Sequence, residues 1–321
     1  MTSLKEKYEN YFLIGAAVNH KVIDSHKEII TKHFNSITCE NEMKYANVCK
    51  EKEKYNFTYA DKIVSFAREN KLALRGHTFV WHNQTPEWVF SEVNKEELRF
   101  RLRKHMETLG GRYHNDIFCW DVVNEAIEDK ENTRIRTSGW SKILGENFMD
   151  DAFLIAKELF PNTSLFYNDY NETDPIKRDK IYSTIYDMKE RGIPIDGLGL
   201  QCHINIYSAN VDNLRRTLEL YAKLGLRLHI TEMDVSLFEF VDSSKIEKPS
   251  DKMLEKQAIV YAQYFKAFRE YKDIIDCVTT WGVADDDTWL DNFPFENRKN
   301  WPLLFDEEHN PKEALLRIMD F

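Results

Sequence analysis

Two carboxylates stand directly behind short apolar runs. Glu125 closes the string Trp120-Asp121-Val122-Val123-Asn124-Glu125, and Glu232 follows Leu228-His229-Ile230-Thr231. Around comparable runs elsewhere in the chain lie side chains suited to holding a polar ring: Glu40, Asn41 and Lys44; His77 and Trp81; Tyr170; Gln201 and His203; Asp234; Trp281 and Trp289. Each has a structural reading of its own. Glu125 could be an acid favoured by a helix N-terminus, a lone histidine is usually a satisfied core group, and a tryptophan at a rim can simply pack. A bare carboxylate after an apolar run, as at Glu232, is costly without hydrogen bonds. Taken together, two carboxylates amid indoles and amides are what glycosidic bond cleavage asks for: one group protonates the leaving oxygen and the other attacks or stabilises the sugar carbon. Indole faces stack on pyranose rings while amides, histidine and lysine bond hydroxyls. Metal hydrolysis lacks a His-x-x-x-His or His/Asp spacing, although dispersed ligands would not show as a motif. Phosphate chemistry lacks a glycine-rich cradle.

These residues need a frame that brings them to one mouth. Eight short apolar runs, at 12–18, 34–39, 72–76, 117–123, 165–167, 195–201, 226–231 and 277–281, read as strands. Segments with helical spacing lie between many of them, at 59–70, 95–109, 147–160, 176–191, 211–224 and 253–271. In the first of these helices Ala60, Ile63, Val64 and Ala67 share a face, and Asn56 or Thr58 can cap its start. The alternation implies parallel strands with helices outside, and eight strands close a (β/α)8 barrel of TIM-barrel architecture. An open doubly wound sheet would carry a phosphate loop after its first strand, which Gly15-Ala16-Ala17-Val18 is not. In such a barrel the working face is formed where the strands end, which is where the polar and aromatic residues fall.

The 321 residues include 44 Lys and Arg against 54 Asp and Glu, a net charge of −10 that argues against a nucleic-acid partner. No linker or low-complexity tract divides the chain, and the polar stretch 243–250 is short enough to be a loop, so one domain over 1–321 is expected. Five cysteines without a C-x-x-C pair read as free, partly buried thiols of a reducing compartment. Sequons at Asn56, Asn83, Asn162 and Asn171 read as accidental, because glycans at Asn83 or Asn171 would block the mouth. The first residues mix Lys5, Glu6, Lys7 and Glu9, and the apolar run 12–18 is too short for a signal or an anchor. The expectation is a cytoplasmic protein with no membrane partner and an open oligomeric state.

The chain resembles the retaining endo-β-1,4-xylanases of glycoside hydrolase family 10. The resemblance rests on ENEMK (40–44), GHTFVWHNQTPEW (76–88), WDVVNEA (120–126), NDYN (168–171), GLGLQCH (197–203), ITEMDV (230–235), WGVADDDTW (281–289) and PLLFD (302–306), which occur in order. It implies a (β/α)8 barrel without metal or organic cofactor and without an accessory carbohydrate-binding module, acting on xylan or xylo-oligosaccharides. It implies Glu125 as acid/base and Glu232 as a nucleophile forming a glycosyl-enzyme, with the carboxyl groups about 5–5.5 Å apart. Glu125 then has to be protonated when the bond breaks, which partial burial and nearby negative charge favour. His203 would bond Glu232 and be held by Asp234 behind it, and Asn124 would meet the sugar 2-hydroxyl. Glu40, Asn41, Lys44, His77, Trp81, Gln201, Trp281 and Trp289 are implied as glycone-side contacts, and Tyr170 as one on the aglycone side.

Some positions depart from simple expectation. Tyr45 and the charged segment 50–54 leave more distant glycone contacts open. The run Asp285-Asp286-Asp287 before Trp289 predicts repulsion of acidic sugar decorations. A cytoplasmic location favours short imported oligosaccharides over polymer. The same groove could favour β-1,4-glucosides, whose rings differ from xylose by a hydroxymethyl group; a silent sugar-binding protein is disfavoured by the intact Glu125 and Glu232.

Overall fold

A computed structural model describes residues 2–321. Nine strands form one parallel sheet: β1 (Leu13–Val18), β2 (Ser36–Cys39), β3 (Ala73–Trp81), β4 (Ile117–Asn124), β5 (Ser164–Asp169), β6 (Gly197–Leu200), β7 (His203–Asn205), β8 (Arg227–Ser236) and β9 (Ile275–Thr280). Neighbours pair in chain order up to β6, β9 pairs with both β1 and β8, and β6 pairs directly with β8, so the sheet closes. β6 and β7 are one stave interrupted at Cys202, which sits at φ 56°, and β7 rejoins β8 through His203↔Asp234. The result is the expected eight-stave (β/α)8 barrel.

The helices fall where the apolar spacing put them: Thr58–Asn70, Lys95–Arg112, Phe148–Leu159, Pro175–Glu190, Val211–Ala222 and Asp251–Glu270. Ala60, Ile63, Val64 and Ala67 are all buried as the outer layer of the core. Asn56 Oδ1 accepts from the Thr58 amide at that helix's start. The strands run further than their apolar content suggests. β3 continues through His77 to Trp81, β4 to Asn124 and β8 to Ser236, because inside a barrel a strand can carry polar side chains inward as long as each finds a partner.

One such partnership fills the barrel interior. Arg75 on β3 and Asp121 on β4 are both about 1% exposed. The Arg75 guanidinium donates to both Asp121 oxygens and, through Nη1, to His229 Nδ1 at 2.6 Å. Burial and the adjacent guanidinium hold His229 well below its usual range, so the ring is neutral and accepts. Asp121 Oδ2 also meets His77 Nδ1 at 3.0 Å, so the same carboxylate that neutralises the buried cation orients a histidine at the mouth. The close approach of β3 and β4 depends on Gly76, where a Cβ would lie 2.2 Å from the Trp120 ring.

All five cysteines are buried and unpaired. Among the described residues no helix is long and apolar enough to cross a membrane. Removing the carboxylate in Asp121→Leu leaves Arg75 charged and unpaired in the interior. Chemical denaturation should show a loss of about 3–5 kcal/mol, and a loss below about 1 kcal/mol would mean the interior charge is not compensated by this pair.

Candidate active site

β8 delivers Glu232 to the C-terminal mouth of the barrel, where the residue is only 5% exposed. Its Oε1 accepts from Asn168 Nδ2 at 2.7 Å, and its Oε2 lies 3.3 Å from His203 Nε2. The Asn168 amide is held in one orientation. Its Oδ1 accepts from Thr231 Oγ1 at 2.7 Å while its Nδ2 also donates to Asn124 Oδ1 at 2.9 Å. Space for this amide exists because residue 199 is glycine: a Cβ there would lie 2.2 Å from Asn168 Oδ1.

His203 is gripped from behind, its Nδ1 lying 2.9 Å from Asp234 Oδ2, an oxygen that also accepts from Trp289 Nε1 at 2.8 Å. Burial opposes charge on His203, but the Asp234 carboxylate, joined by that of Glu232, more than offsets it and holds the imidazole up at about 10. At neutral pH the ring is therefore a cation donating from both nitrogens. Burial alone would raise the Glu232 carboxyl. The His203 hydrogen bond and the charges of His77, His203 and Lys44 outweigh it and keep Glu232 below the usual carboxylate range.

Glu125 follows the last residue of β4 in a left-handed conformation, φ 57°, with its amide donating to the Asn168 carbonyl at 2.9 Å. A non-glycine residue in that region is held there by its surroundings. Its Oε1 accepts from Gln201 Nε2 at 3.0 Å and Asn124 Nδ2 at 3.3 Å, and its Oε2 accepts from Trp81 Nε1 at 2.8 Å. The Glu125 carbonyl accepts from Arg136 Nε at 3.0 Å, and Arg136 Nη2 donates to the Tyr170 hydroxyl at 2.7 Å. The two carboxylates are thus joined by a short amide relay through Asn168 and Asn124, one glutamate on each side of it.

The remaining predicted residues line the same mouth. Lys44 Nζ donates to Asn41 Oδ1 at 3.0 Å and sits 4.8 Å over the Trp81 ring. Burial lowers Lys44, opposed by the charges of Glu232, Glu40 and Glu125; burial raises Glu40, opposed by Lys44. His77 packs edge-on against Trp281 at 5.5 Å. Trp289 lies 4.9 Å from the His203 ring, and Tyr170 lies under Lys177 on the Glu125 side. Gln201 has a second duty that its assignment to sugar binding did not include, since its amide bonds Glu125 and Asn124.

The expectation for the acidic run 285–287 needs correction. Asp285 is fully buried, paired with Lys312 at 2.7 Å and accepting from the Leu303 amide. Asp286 is taken up by His26 and His309. Asp287 accepts from Asn19 Nδ2 at 2.6 Å, and its charge is felt by Glu40. Two of the three carboxylates therefore serve the fold, and the run does not act as a block of negative charge. The segments after β8 and β9, which sequence did not place, dock on each other beside Trp289. Phe293 stacks on Trp289 at 5.0 Å, Phe240 packs edge-on against Phe293, and Asn300 bonds Ser236 and the Leu237 amide.

Several contributors were not singled out from sequence. Asn168 stood inside the NDYN string, and only its place at the end of a strand hinted at it. His82, 3.8 Å from Glu125 Oε2, sits in GHTFVWHNQ one residue past Trp81. Its ring is held below its usual range by burial, opposed by the Glu125 charge. Glu42, inside ENEMK, accepts from the amide and ring of His20 and ties the first two loops together.

If His203 keeps Glu232 charged, His203→Asn should raise the Glu232 carboxyl, and the acid limb of the kcat/KM profile for glycoside hydrolysis should move up by about 1–3 pH units. An unmoved acid limb would show that other groups hold the charge. Because the folded His203 lies above its unfolded value, its stabilisation is complete below about pH 6.5 and is lost as pH rises through about 10. Alkaline unfolding of the parent protein, but not of His203→Asn, should contain this component.

The chain is 51% identical to an endo-1,4-beta-xylanase A of Caldicellulosiruptor saccharolyticus, covering 99% of this chain and 96% of that protein. It is 46% identical to an endo-1,4-beta-xylanase of Geobacillus stearothermophilus, covering 99% and 98%. Among solved structures it superposes with a TM-score of 0.98 on an endo-1,4-beta-xylanase from Caldicellulosiruptor owensensis, at 49% identity and full coverage of both chains. A mutant structure in complex with xylotriose matches equally, with a TM-score of 0.98 at 49% identity over all of both chains. The profile of glycosyl hydrolase family 10 matches residues 3–321. The chain belongs to glycosyl hydrolase family 10.

Proposed function

We propose that the protein is an endo-1,4-β-xylanase that hydrolyses β-1,4-xylosidic bonds with retention, Glu232 acting as nucleophile and Glu125 as acid/base. The observation that carries this reading is the unequal treatment of two carboxylates in one mouth. Glu232 is buried yet held ionised by Asn168 and the His203 cation, while Glu125 accepts hydrogen bonds from the neutral groups of Gln201, Asn124 and Trp81, with His82 farther off at 3.8 Å. A group that must attack is kept charged, and a group that must give and take a proton is left with partners that serve both of its states.

In the first step Glu232 Oε attacks the anomeric carbon as Glu125 passes its proton to the glycosidic oxygen, whose bond to that carbon breaks. Forming the ester leaves Glu125 as the carboxylate that acts as base in the second step. It then takes a proton from water, whose oxygen attacks the anomeric carbon and releases Glu232. In this reading Asn124 bonds the 2-hydroxyl of the reacting sugar, and the indoles of Trp81, Trp281 and Trp289 stack on the rings. Family membership and the xylanase relatives support xylose as that sugar.

Reducing-end release from xylotetraose and cellotetraose, for the parent and for a folded Glu232→Ala, tests this reading. Preferential xylotetraose cleavage that falls to background in the variant is expected. Cellotetraose preference would move the substrate to glucans, and cleavage surviving in the variant would remove Glu232 from the role of nucleophile. Glu125→Ala should lose about 10²–10⁴-fold on xylotetraose yet release a good phenol leaving group from an aryl xylobioside far less impaired in the first step. Equal losses on both substrates would contradict the acid role.

A further inference from the structure

Where β1 meets β9 to close the barrel, a second group of side chains converges that the glycosidic chemistry does not use. His26 lies in the segment after β1, Asp286 in the segment after β9, and His309 in the turn before the last helix, Glu313–Met319. His26 Nε2 is 2.8 Å from Asp286 Oδ1, and His309 Nε2 is 3.2 Å from Asp286 Oδ2. Among the described residues this is the one trio of histidine, cysteine or carboxylate groups whose donor atoms all lie within 4.8 Å of one another. The two imidazoles are 4.2 Å apart between ring centres.

Four features make the trio more than a surface hydrogen-bond cluster. The His26 side chain is only 2% exposed, so its ring is a fixed donor that does not have to be ordered on binding. Its Nδ1 is 2.7 Å from Ser25 Oγ, an outer partner that accepts Nδ1–H once an ion takes the place of the Nε2 proton now directed at Asp286. Both Nε2 atoms face the same carboxylate: His309 at 3.2 Å is near the roughly 3.3 Å that donors adopt around a tetrahedral ion with bonds of about 2.0–2.1 Å, and His26 at 2.8 Å has to move outward by about half an ångström. Asp286 and His309 are 37% and 31% exposed, which leaves an approach for the ion and a coordination position for water. Two imidazoles and one carboxylate suit zinc and its neighbours; calcium and magnesium prefer all-oxygen sets.

We propose that His26, Asp286 and His309 bind a divalent ion of the zinc class, which clamps the first and last loops of the barrel across its closing seam. The ligands are far apart in sequence, so the ion closes a loop of nearly the whole chain, which restricts the unfolded state more than a local clip would. It also braces the mouth. The residue after Asp286 is Asp287, which bonds Asn19, and the same segment carries Trp289. The clamp is independent of the sugar chemistry proposed above.

Calorimetric titration of tag-free, chelator-stripped protein with Zn2+ tests the site, with Co2+ as a spectroscopic probe. The proposal predicts one equivalent bound with a dissociation constant tighter than about 100 µM, a visible cobalt band, and a thermal midpoint raised by zinc. Asp286→Asn and His309→Gln, each checked for native circular dichroism, should weaken binding at least about tenfold and abolish the zinc-dependent rise in midpoint. Binding weaker than about 100 µM, or a zinc equivalent that either variant holds as tightly as the parent, would overturn it.

Discussion

A carboxylate that must stay charged in a place nearly closed to water is the constraint around which this mouth is built. Glu232 has lost most of its hydration, and a buried anion without compensation would take up a proton. Compensation comes in two kinds. Asn168 supplies a neutral N–H whose direction is fixed by Thr231, and His203 supplies a cation whose charge is fixed by Asp234. Each supporting group is supported in turn. Gly199 leaves room for the Asn168 amide, and Trp289 donates to the same Asp234 oxygen that holds His203. The Trp289 indole is thereby also part of the circuit that keeps Glu232 ionised.

The barrel beneath supplies the rigidity that such placement needs. Arg75, Asp121 and His229 form a buried polar layer from three strands, and Asp121 passes its order upward to His77. At two points the staves bend out of regular geometry, at Glu125 after β4 and at Cys202 between β6 and β7, both with positive φ. The first turns Glu125 across the mouth toward Gln201 and Trp81. The second lets Gln201 and His203 serve different carboxylates although they lie on one stave. Local strain is tolerated where the closed sheet on either side determines the path of the chain.

Much of this was legible in the residues. Eight apolar runs separated by helical spacing sufficed for the barrel, because parallel strands covered on both sides need continuous apolar stretches. Glu125 and Glu232 stood out because each follows such a run directly. The strand ends were read short at β3, β4 and β8, since His77, Asn124 and Glu232 look like loop residues until the partners that satisfy them inside the barrel are known. Asp285 and Asp286 illustrate the same limit in reverse: their acidity was visible, but Lys312, His26 and His309, which absorb it, lie elsewhere in the sequence. Asn168 was quoted only as part of a string, for a single amide at a strand end carries no sign of the anion it serves on another strand.

The central claim is that Glu232 becomes covalently attached to the sugar. Incubating the protein with a 2-deoxy-2-fluoro-xylobioside bearing a good leaving group slows release of the intermediate more than its formation, so intact-mass and peptide-mass measurements can capture it. The account predicts one added fluoro-xylobiosyl unit per chain, on the peptide that contains Glu232 and on that residue. An adduct on another side chain, or turnover that leaves no adduct and gives product of inverted anomeric configuration, would contradict it.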